Sequence, residues 1–162
     1  QEASVKWSDI KKEKKTINLH MVGKLQSNKV KNALEIFDYI HSLDSQKLAD
    51  TIAKQQSNLN RNLKYFIQVN IGNELQKSGM AMTELEPFYN YCINEKKLNI
   101  IGLMAIPPND KNTKKYFKSL FDLKISLGLK DLSMGMSSDY NDAVNCGATF
   151  VRIGSSIFGP RT

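Results

Sequence analysis

The chain has 162 residues, enough for one domain with a buried core, and its 41% hydrophobic and 24% charged residues are ordinary values for a globular protein. The net charge of +7 arises from 23 Lys and Arg against 16 Asp and Glu, and much of it lies in Lys11–Lys15 and Lys111–Lys118. Both runs fall where helix faces or turns are expected, so we interpret them as solvated surface and expect no nucleic-acid partner. No apolar run approaches the roughly 18 residues of a membrane helix, so no membrane partner is expected either.

The two cysteines and the first residues concern the cellular setting of the chain. Cys92 and Cys146 lack the spacing of a metal site and give no disulfide framework, which predicts a reducing, cytoplasmic compartment. No signal peptide is recognised. The chain lacks an initiating Met and opens with Gln1-Glu2-Ala3, a segment typical of a helix interior. We therefore expect the sequence to be the tail of a longer protein.

Apolar periodicity and turn residues predict alternating strands and helices in the first half of the chain. This half is predicted to contain a helix remnant over Gln1–Ile10, a polar linker over Lys11–Thr16, strands over Asn18–Val22, Tyr39–Leu43 and Tyr65–Ile71, and helices over Leu25–Phe37 and Ser45–Gln56. Ser27 or Asn28 is the expected N-cap of the first complete helix, and Asp44 or Ser45 that of the second.

The alternation continues through the second half. After the loop Gly72–Gly79, the capping-box spacing of Thr83–Glu86 predicts a helix that runs to about Glu95. The remaining predicted elements are strands over Ile100–Ile106, Leu132–Met136 and Phe150–Ile153, and helices over Asn112–Leu127 and Asp139–Cys146. Asn112–Leu127 is predicted to be the longest helix, with a buried stripe formed by Tyr116, Leu120, Leu123 and Leu127.

Strands that alternate with helices predict a parallel sheet covered by helices, either an open doubly wound sheet or a barrel. No predicted strand is followed by the G-x-G-x-x-G of a dinucleotide fold. Dividing 162 residues among the six predicted units gives about 27 residues each, close to the roughly 30 of a barrel unit. We therefore predict one domain over residues 1–162, a (β/α)8 TIM-type barrel from which roughly the first two βα units are missing.

The strongest site signal lies in the last thirty residues. Small residues follow the last two predicted strands, at Ser137-Ser138 and at Gly154-Ser155-Ser156. In α/β barrels the loops after the last two strands usually hold a phosphate, so these residues predict a phosphate cradle with Arg152 beside it. Gly and Ser after a strand are also ordinary turn residues, and this stretch alone leaves that alternative open.

The other predicted strand ends offer few general acids or bases. They contribute Asn70, Met104 and Met136, and they show no Ser–His–Asp set, paired carboxylates or metal cluster. His20 either packs in the core or faces a ligand, and the loop residue Lys77 is either exposed or near one. Arg152 differs, because a guanidinium inside a barrel strand requires a partner, and a ligand acceptor is the simplest one.

Five segments resemble the pyridoxal-phosphate homeostasis proteins, the YggS/PROSC family, in that family's order and spacing. They are HMVGKLQSNK (His20–Lys29), QVNIGNELQKSG (Gln68–Gly79), IIGLMAIPP (Ile100–Pro108), LSMGMSSD (Leu132–Asp139) and VRIGSSIFGPR (Val151–Arg161). The resemblance covers essentially the whole chain. It implies a single barrel similar to the amino-terminal domain of alanine racemases, with pyridoxal 5′-phosphate at its mouth.

The resemblance also implies roles for individual residues. Ser137 and the backbone at Gly154 and Ser155 would hold the phosphate, and Arg152 would face the pyridine nitrogen. Met136, Asn70 and His20 are the remaining candidates for cofactor contact. The family's Schiff-base lysine lies on the first strand, which we expect to be absent, so no residue here takes the covalent role.

The function implied is a non-catalytic carrier or buffer of pyridoxal 5′-phosphate that delivers the cofactor to dependent apo-enzymes. The alternative is a fold-type III enzyme such as an amino-acid racemase, which needs a second acid/base and often an added β-domain. A sugar-phosphate-binding barrel would fit the cradle but not the whole set of motifs.

Overall fold

The computed structural model describes Trp7, Ile10, Glu13 and residues 16–74, 76–110 and 112–159 of the chain. The strands are β1 His20–Met21, β2 Tyr39–Leu43, β3 Lys64–Gln68, β4 Ile100–Met104, β5 Asp131–Met136 and β6 Phe150–Arg152. The helices are α1 Val30–Ile36, α2 Gln46–Leu59, α3 Leu85–Asn90, α4 Thr113–Ser126, α5 Tyr140–Asn145 and α6 Ser155–Phe158. Single 3-10 turns at Ser27–Lys29 and Met82–Glu84 precede α1 and α3, and a π-helical turn at Tyr91–Glu95 extends α3.

The six strands form one parallel sheet in the order β1-β2-β3-β4-β5-β6. Each strand pairs with the next one in sequence, as where Met104 of β4 lies opposite Ser133 of β5. A helix connects each strand to the following one, because parallel neighbours need a crossover that returns the chain to the same end of the sheet. The prediction of a parallel sheet with alternating helices is confirmed.

The two faces of the sheet carry different cores. Beneath the helices, the outer face is apolar and joins the helix side chains in one cluster, to which the strands contribute Ile40, Tyr65, Ile67, Leu103, Leu132 and Met134. Successive strand residues point to opposite faces, so the residues beside these lie on the inner face. The buried inner residues are His41, Phe66, Gln68, Met104 and Ser133. The inside of the sheet is therefore the more polar of the two cores.

Rings on the inner face show that the sheet is curved. The His20 ring on β1 stacks on Tyr39 with centroids 4.1 Å apart, and its centroid lies 5.6 Å from that of Phe150 on β6. Phe66 on β3 also meets Phe150 edge-on at 5.3 Å. Side chains of the first and last strands thus meet in the interior, and the six strands form a half-barrel.

The longer helices are held by one apolar stripe each. In α2 this stripe is Leu48, Ala49 and Ile52, and the helix ends where Asn60 adopts a left-handed conformation with φ of 48°. In α4, Phe117 and Leu120 are fully buried. Among the described residues, no helix combines the length and apolar composition needed to cross a bilayer.

Several predictions of element ends were wrong. Ser27 and Asn28 lie inside the 3-10 turn, so neither caps α1, and the N-cap that precedes the turn at Met82 is Ala81 instead of a capping-box threonine. Glu13 is helical, although it falls in the predicted linker. Most of Gln1–Ile10 and of Lys11–Thr16 lies outside the described residues. Helices α2 and α4 each have 14 residues, so α4 is not the single longest helix.

Candidate functional site

Five of the seven predicted cofactor residues surround one cavity at the carboxyl ends of the strands. The cavity has a volume of about 780 Å³, within the range of small-molecule sites. The predicted residues that line it are Met136, Ser137, Arg152, Gly154 and Ser155. The other lining residues are Val22, Ile106, Ser138, Ile153, Phe158 and Gly159. These five residues lie together at the strand ends, where the sequence predicted them. Their role in binding a cofactor stays a prediction.

Ser137 forms a polar corner of this cavity together with the backbone after β6. Its Oγ accepts hydrogen bonds from the backbone N–H of Gly154 at 3.2 Å and of Ser156 at 3.4 Å. Within the described part of the chain, no heavy atom beyond its chain neighbours would lie within 4 Å of a Cβ at Gly154, so the corner is open on that side. A hydroxyl and two convergent N–H groups are donors that suit phosphate oxygens.

A tight turn positions Ser137. The N–H of Met136 donates to Oδ1 of Asp139 at 2.7 Å, and the N–H of Asp139 donates back to the Met136 carbonyl at 3.0 Å. Gly135 has φ of +92°, and a Cβ there would lie 2.5 Å from the Cβ of Ala143. Glycine at this position therefore lets α5 pack closely against the end of β5.

Arg152 is anchored by neutral acceptors. Its Nη1 donates to the Ser133 carbonyl at 3.0 Å and to Ser133 Oγ at 2.8 Å, and its Nη2 donates to the Ala105 carbonyl at 3.0 Å. The ion pairs among the described residues do not include Arg152. Its Nε is buried and has no hydrogen-bond partner in the described chain. The protein thus supplies acceptors for Nη1 and Nη2 of Arg152, as a buried guanidinium requires. The buried Nε remains without a partner among the described residues.

The charge on Arg152 persists despite its surroundings. Burial lowers the pKa of Arg152, and the nearby carboxylate of Asp139 opposes that effect. A guanidinium does not lose its proton in proteins, so the cavity keeps a permanent positive charge at its inner wall.

Two histidines continue the Arg152 contacts through the interior. His41 Nδ1 lies 2.8 Å from Ser133 Oγ, and His41 Nε2 lies 3.0 Å from His20 Nδ1. Burial lowers the pKa of His41 to about 3, with His20 and then Arg152 adding to the effect. Burial also lowers the pKa of His20, against an opposing contribution from Asp38. Both rings are therefore neutral at physiological pH.

Asn70 and His20 are not among the residues that line the cavity. The Asn70 side chain accepts from the Glu74 N–H at 3.1 Å and donates to the Glu74 carbonyl at 2.8 Å, so it folds the loop after β3. Lys77 in the same loop forms an ion pair with Glu74 at 2.6 Å. His20 lies inside the half-barrel, one hydrogen bond behind His41.

The predicted site did not include several contributors to this region. Ile106 and Phe158 line the cavity, and His41 and Ser133 support Arg152 from behind. Ser133 carried one usable signal, since a serine between Leu132 and Met134 puts a hydroxyl on the opposite face from two apolar neighbours. Its contact with His41, 92 positions away, has no local signal.

Comparison with known proteins places the chain in a family. Residues 8–162 match the sequence profile described as alanine racemase, N-terminal domain. A pyridoxal phosphate homeostasis protein of Aquifex aeolicus is 39% identical over 151 residues, which cover 88% of this chain and 66% of the relative. The protein of that name from Haemophilus influenzae is 37% identical over 161 residues, which cover 92% of this chain and 68% of the relative. The chain belongs to the pyridoxal phosphate homeostasis protein family.

Solved structures agree with that assignment. PipY of Synechococcus elongatus without PLP superposes with a TM-score of 0.91 at 34% identity, over 98% of this chain and 78% of PipY. PipY with PLP bound gives a TM-score of 0.85 at 32% identity over the same shares of both chains. The chain spans about two thirds of the length of the curated homeostasis proteins it matches. The family resemblance read from the five sequence segments is confirmed.

Proposed function

We propose that the full-length protein binds pyridoxal 5′-phosphate in the cavity at the strand ends and acts as a non-catalytic carrier or buffer in intracellular vitamin B6 homeostasis. The observation that carries the proposal is the combination, in one cavity, of the Ser137 corner with the buried and unpartnered Nε of Arg152. Membership of the homeostasis family supports it, as does the solved PipY structure with PLP bound.

The phosphate is held in the Ser137 corner. The Ser137 hydroxyl and the backbone N–H groups of Gly154, Ser155 and Ser156 supply hydrogen bonds to its oxygens. In the described structure Gly154 and Ser156 donate to Ser137 Oγ, and the same two N–H groups would be available to phosphate oxygens.

Arg152 would face the pyridine ring. Its Nε would donate to the ring nitrogen, which would give a buried, unpaired donor a partner. The permanent charge of the guanidinium disfavours protonation of that nitrogen, so the ring is a weaker electron sink than one paired with a carboxylate. Met136 forms an apolar wall, while Asn70 and His20 act indirectly, through the β3 loop and through His41.

This set of side chains supports the proposed carrier role. Bound pyridoxal 5′-phosphate supplies a reactive aldehyde and an electron-withdrawing ring. The described side chains that line the cavity are apolar or hydroxylic apart from Arg152, a combination suited to holding the cofactor and poor in groups for proton transfer. We propose that dependent apo-enzymes receive the cofactor, and that the free thiols of Cys92 and Cys146 fit a cytoplasmic location.

The described half-barrel supports a proposal of a complete barrel in the full-length protein. Residues 1–162 form one domain, and two further βα units of the full-length protein complete it to a (β/α)8 barrel. The closing units would pair with β1 and β6, the outermost strands of the described sheet.

Cofactor titration of the full-length protein by visible absorption tests the binding site. Arg152→Ala is expected to weaken binding about 5- to 150-fold, because it leaves the ring nitrogen unpaired. Arg152→Lys should not restore full affinity, since a point charge lacks the planar donor fork. Unchanged affinity in Arg152→Ala, alongside a lower melting temperature, would assign Arg152 a structural role only.

Ser137→Ala tests the phosphate corner separately. It is expected to weaken binding of pyridoxal 5′-phosphate about 2- to 12-fold and to leave the affinity for pyridoxal, which has no phosphate, unchanged. Ser42→Ala is the matched control, because Ser42 is buried and lies away from the cavity. An equal loss for both ligands would place the phosphate elsewhere, and alanine racemisation by the loaded wild-type protein would contradict the carrier role.

A further inference from the structure

The interior of the half-barrel contains a continuous hydrogen-bonded chain that leads from β1 to the cavity. It runs from His20 on β1 through His41 on β2 and Ser133 on β5 to Arg152 on β6. The three links measure 3.0, 2.8 and 2.8 Å. Four strands thus contribute to one polar path. Aromatic rings border this path, since Phe66 stacks on His41 with centroids 4.2 Å apart and Phe150 lies edge-on to His41 at 6.1 Å.

The available donors and acceptors give this series of hydrogen bonds one direction. Ser133 Oγ accepts from Nη1 of Arg152, and its own hydrogen then has His41 Nδ1 as the available acceptor. If His41 Nδ1 carried the proton instead, two donors would point at Ser133 Oγ. The serine hydrogen would then lack an acceptor at a residue with no exposed surface. His41 therefore carries its proton on Nε2 and donates it to His20 Nδ1.

Protonation of the histidine pair would reverse this direction. A proton on His20 Nδ1 would face the N–H of His41, so His41 would have to reverse and donate to Ser133. The groups that face the pair are Arg152 from β6, Tyr39 stacked on His20, and Asp38, whose charge acts on His20. Arg152 opposes a second positive charge here, so the neutral arrangement with one direction is the favoured one.

We propose that His41 is a positioning residue for Arg152: by accepting the Ser133 hydrogen it orients the serine lone pair toward Nη1, so that Nη1 and Nη2 are fixed to the protein and Nε is left as the donor for a ligand's ring nitrogen. This inference rests on the proposed function, since the ligand in question is the pyridine ring of pyridoxal 5′-phosphate. His20 completes the arrangement by accepting from His41.

Ligand binding by the full-length protein tests the proposal with two probes and three variants. The probes are pyridoxal 5′-phosphate and its analogue in which carbon replaces the ring nitrogen. His41→Leu removes the acceptor for Ser133, whereas His41→Asn places an amide oxygen near the position of Nδ1. Ser42→Ala is the control, because Ser42 is the next residue of β2, equally buried, and its Oγ has no partner in the described chain.

His41→Leu is expected to weaken binding of pyridoxal 5′-phosphate by about 2- to 12-fold, the range of one neutral hydrogen bond. The carbon analogue has no acceptor for Nε, so its affinity should change by less than about twofold. His41→Asn should recover most of the loss, and Ser42→Ala should show none. Equal weakening of both probes, or no weakening of either, would overturn the proposal.

Nitrogen-15 NMR of the histidine rings in the apo full-length protein supplies a second measurement that needs no ligand. Both rings are expected to be neutral with the proton on Nε2 at neutral pH. A proton on His41 Nδ1 would overturn the inferred direction. If the wild-type protein binds neither probe, the proposed function is wrong, and so is the proposed contact between Arg152 Nε and the pyridine ring. Normal binding with no selective effect of His41→Leu overturns the positioning role alone.

Discussion

At the scale of single residues, Arg152 is costly to bury and is retained with its charge unneutralised. Three guanidinium hydrogen bonds go to the neutral oxygens of Ser133 and Ala105. These bonds fix the side chain but do not cancel its charge, in contrast to a carboxylate pair. A fixed positive charge suits a site that holds an electron-rich ring nitrogen or an anion, and it therefore supports the proposed binding role of this residue.

The low pKa of His41 predicts a pH-dependent loss of stability. The folded-state pKa of about 3 lies below the ordinary 6.5, so the unfolded chain binds more protons between these values. The contribution of His41 is therefore complete above pH 6.5 and is lost as the pH falls toward 3. Between pH 7 and pH 5 the loss in the free energy of unfolding is about 2 kcal/mol.

Urea unfolding of the full-length protein at several pH values measures this effect. His41→Asn removes the titrating ring, so its stability should fall by about 2 kcal/mol less than that of wild type between pH 7 and pH 5. Ser42→Ala keeps the His41 ring and is the control, so its pH profile should follow that of wild type. Parallel pH profiles for the two proteins would show that His41 is protonated in the folded state or exposed to solvent.

At the scale of secondary-structure elements, Gly135 is the position where packing limits the choice of residue. Gly135→Ala combines a positive φ with a contact of 2.5 Å to Ala143 Cβ of α5. We expect it to lower the free energy of unfolding by about 2–4 kcal/mol. Because Ser137 follows two residues later, affinity for pyridoxal 5′-phosphate should fall as well.

Gly128→Ala is the matched control for this prediction. Gly128 also has a positive φ, of +65°, but no heavy atom of the described chain beyond its neighbours would lie within 4 Å of the new Cβ. Its loss should be about 1 kcal/mol, the conformational term alone. Equal losses in the two variants, measured by chemical denaturation, would show that the approach of α5 to β5 is not tightly constrained.

Elements with a strong apolar period were predictable from the sequence, and their ends were less so. Strand β2 was predicted with its exact bounds, since Tyr39–Leu43 lies between turn residues. The N-caps predicted at Ser27 and Thr83 were wrong, because 3-10 turns precede α1 and α3 and shift the residue at which each helix begins. Helix α6 has four residues, too few to show a period.

The candidate site was predictable where it follows strand ends and unpredictable where it depends on the interior. Parallel strands bring their carboxyl ends to one edge, so the cavity lining at Ser137 and Gly154 could be inferred from order alone. The contact of His41 with Ser133 depends on the curvature of the sheet, which brings the inner faces of β2 and β5 together. No single-sequence pattern encodes that curvature.

At the scale of the whole molecule, the half-barrel leaves two strands at the edges of the sheet. Within the described residues, β1 pairs only with β2, and β6 pairs only with β5. Near β6 the apolar side chains of Val151, Ile157 and Phe158 are 38%, 68% and 85% exposed. Unpaired edges with exposed apolar residues recruit other chains.

We therefore expect the isolated 162-residue chain to self-associate and the full-length protein to resist it, because further βα units would cover both edges. Light scattering at several concentrations measures the effect. Val151→Lys in the isolated chain should reduce association, since a charge on an edge strand opposes pairing with a second chain. The same substitution at Val144, an exposed residue of α5, should have less effect because a helix face offers no strand edge. A monomeric isolated chain, or equal effects of the two lysines, would show that the edges of β1 and β6 are not what drives association.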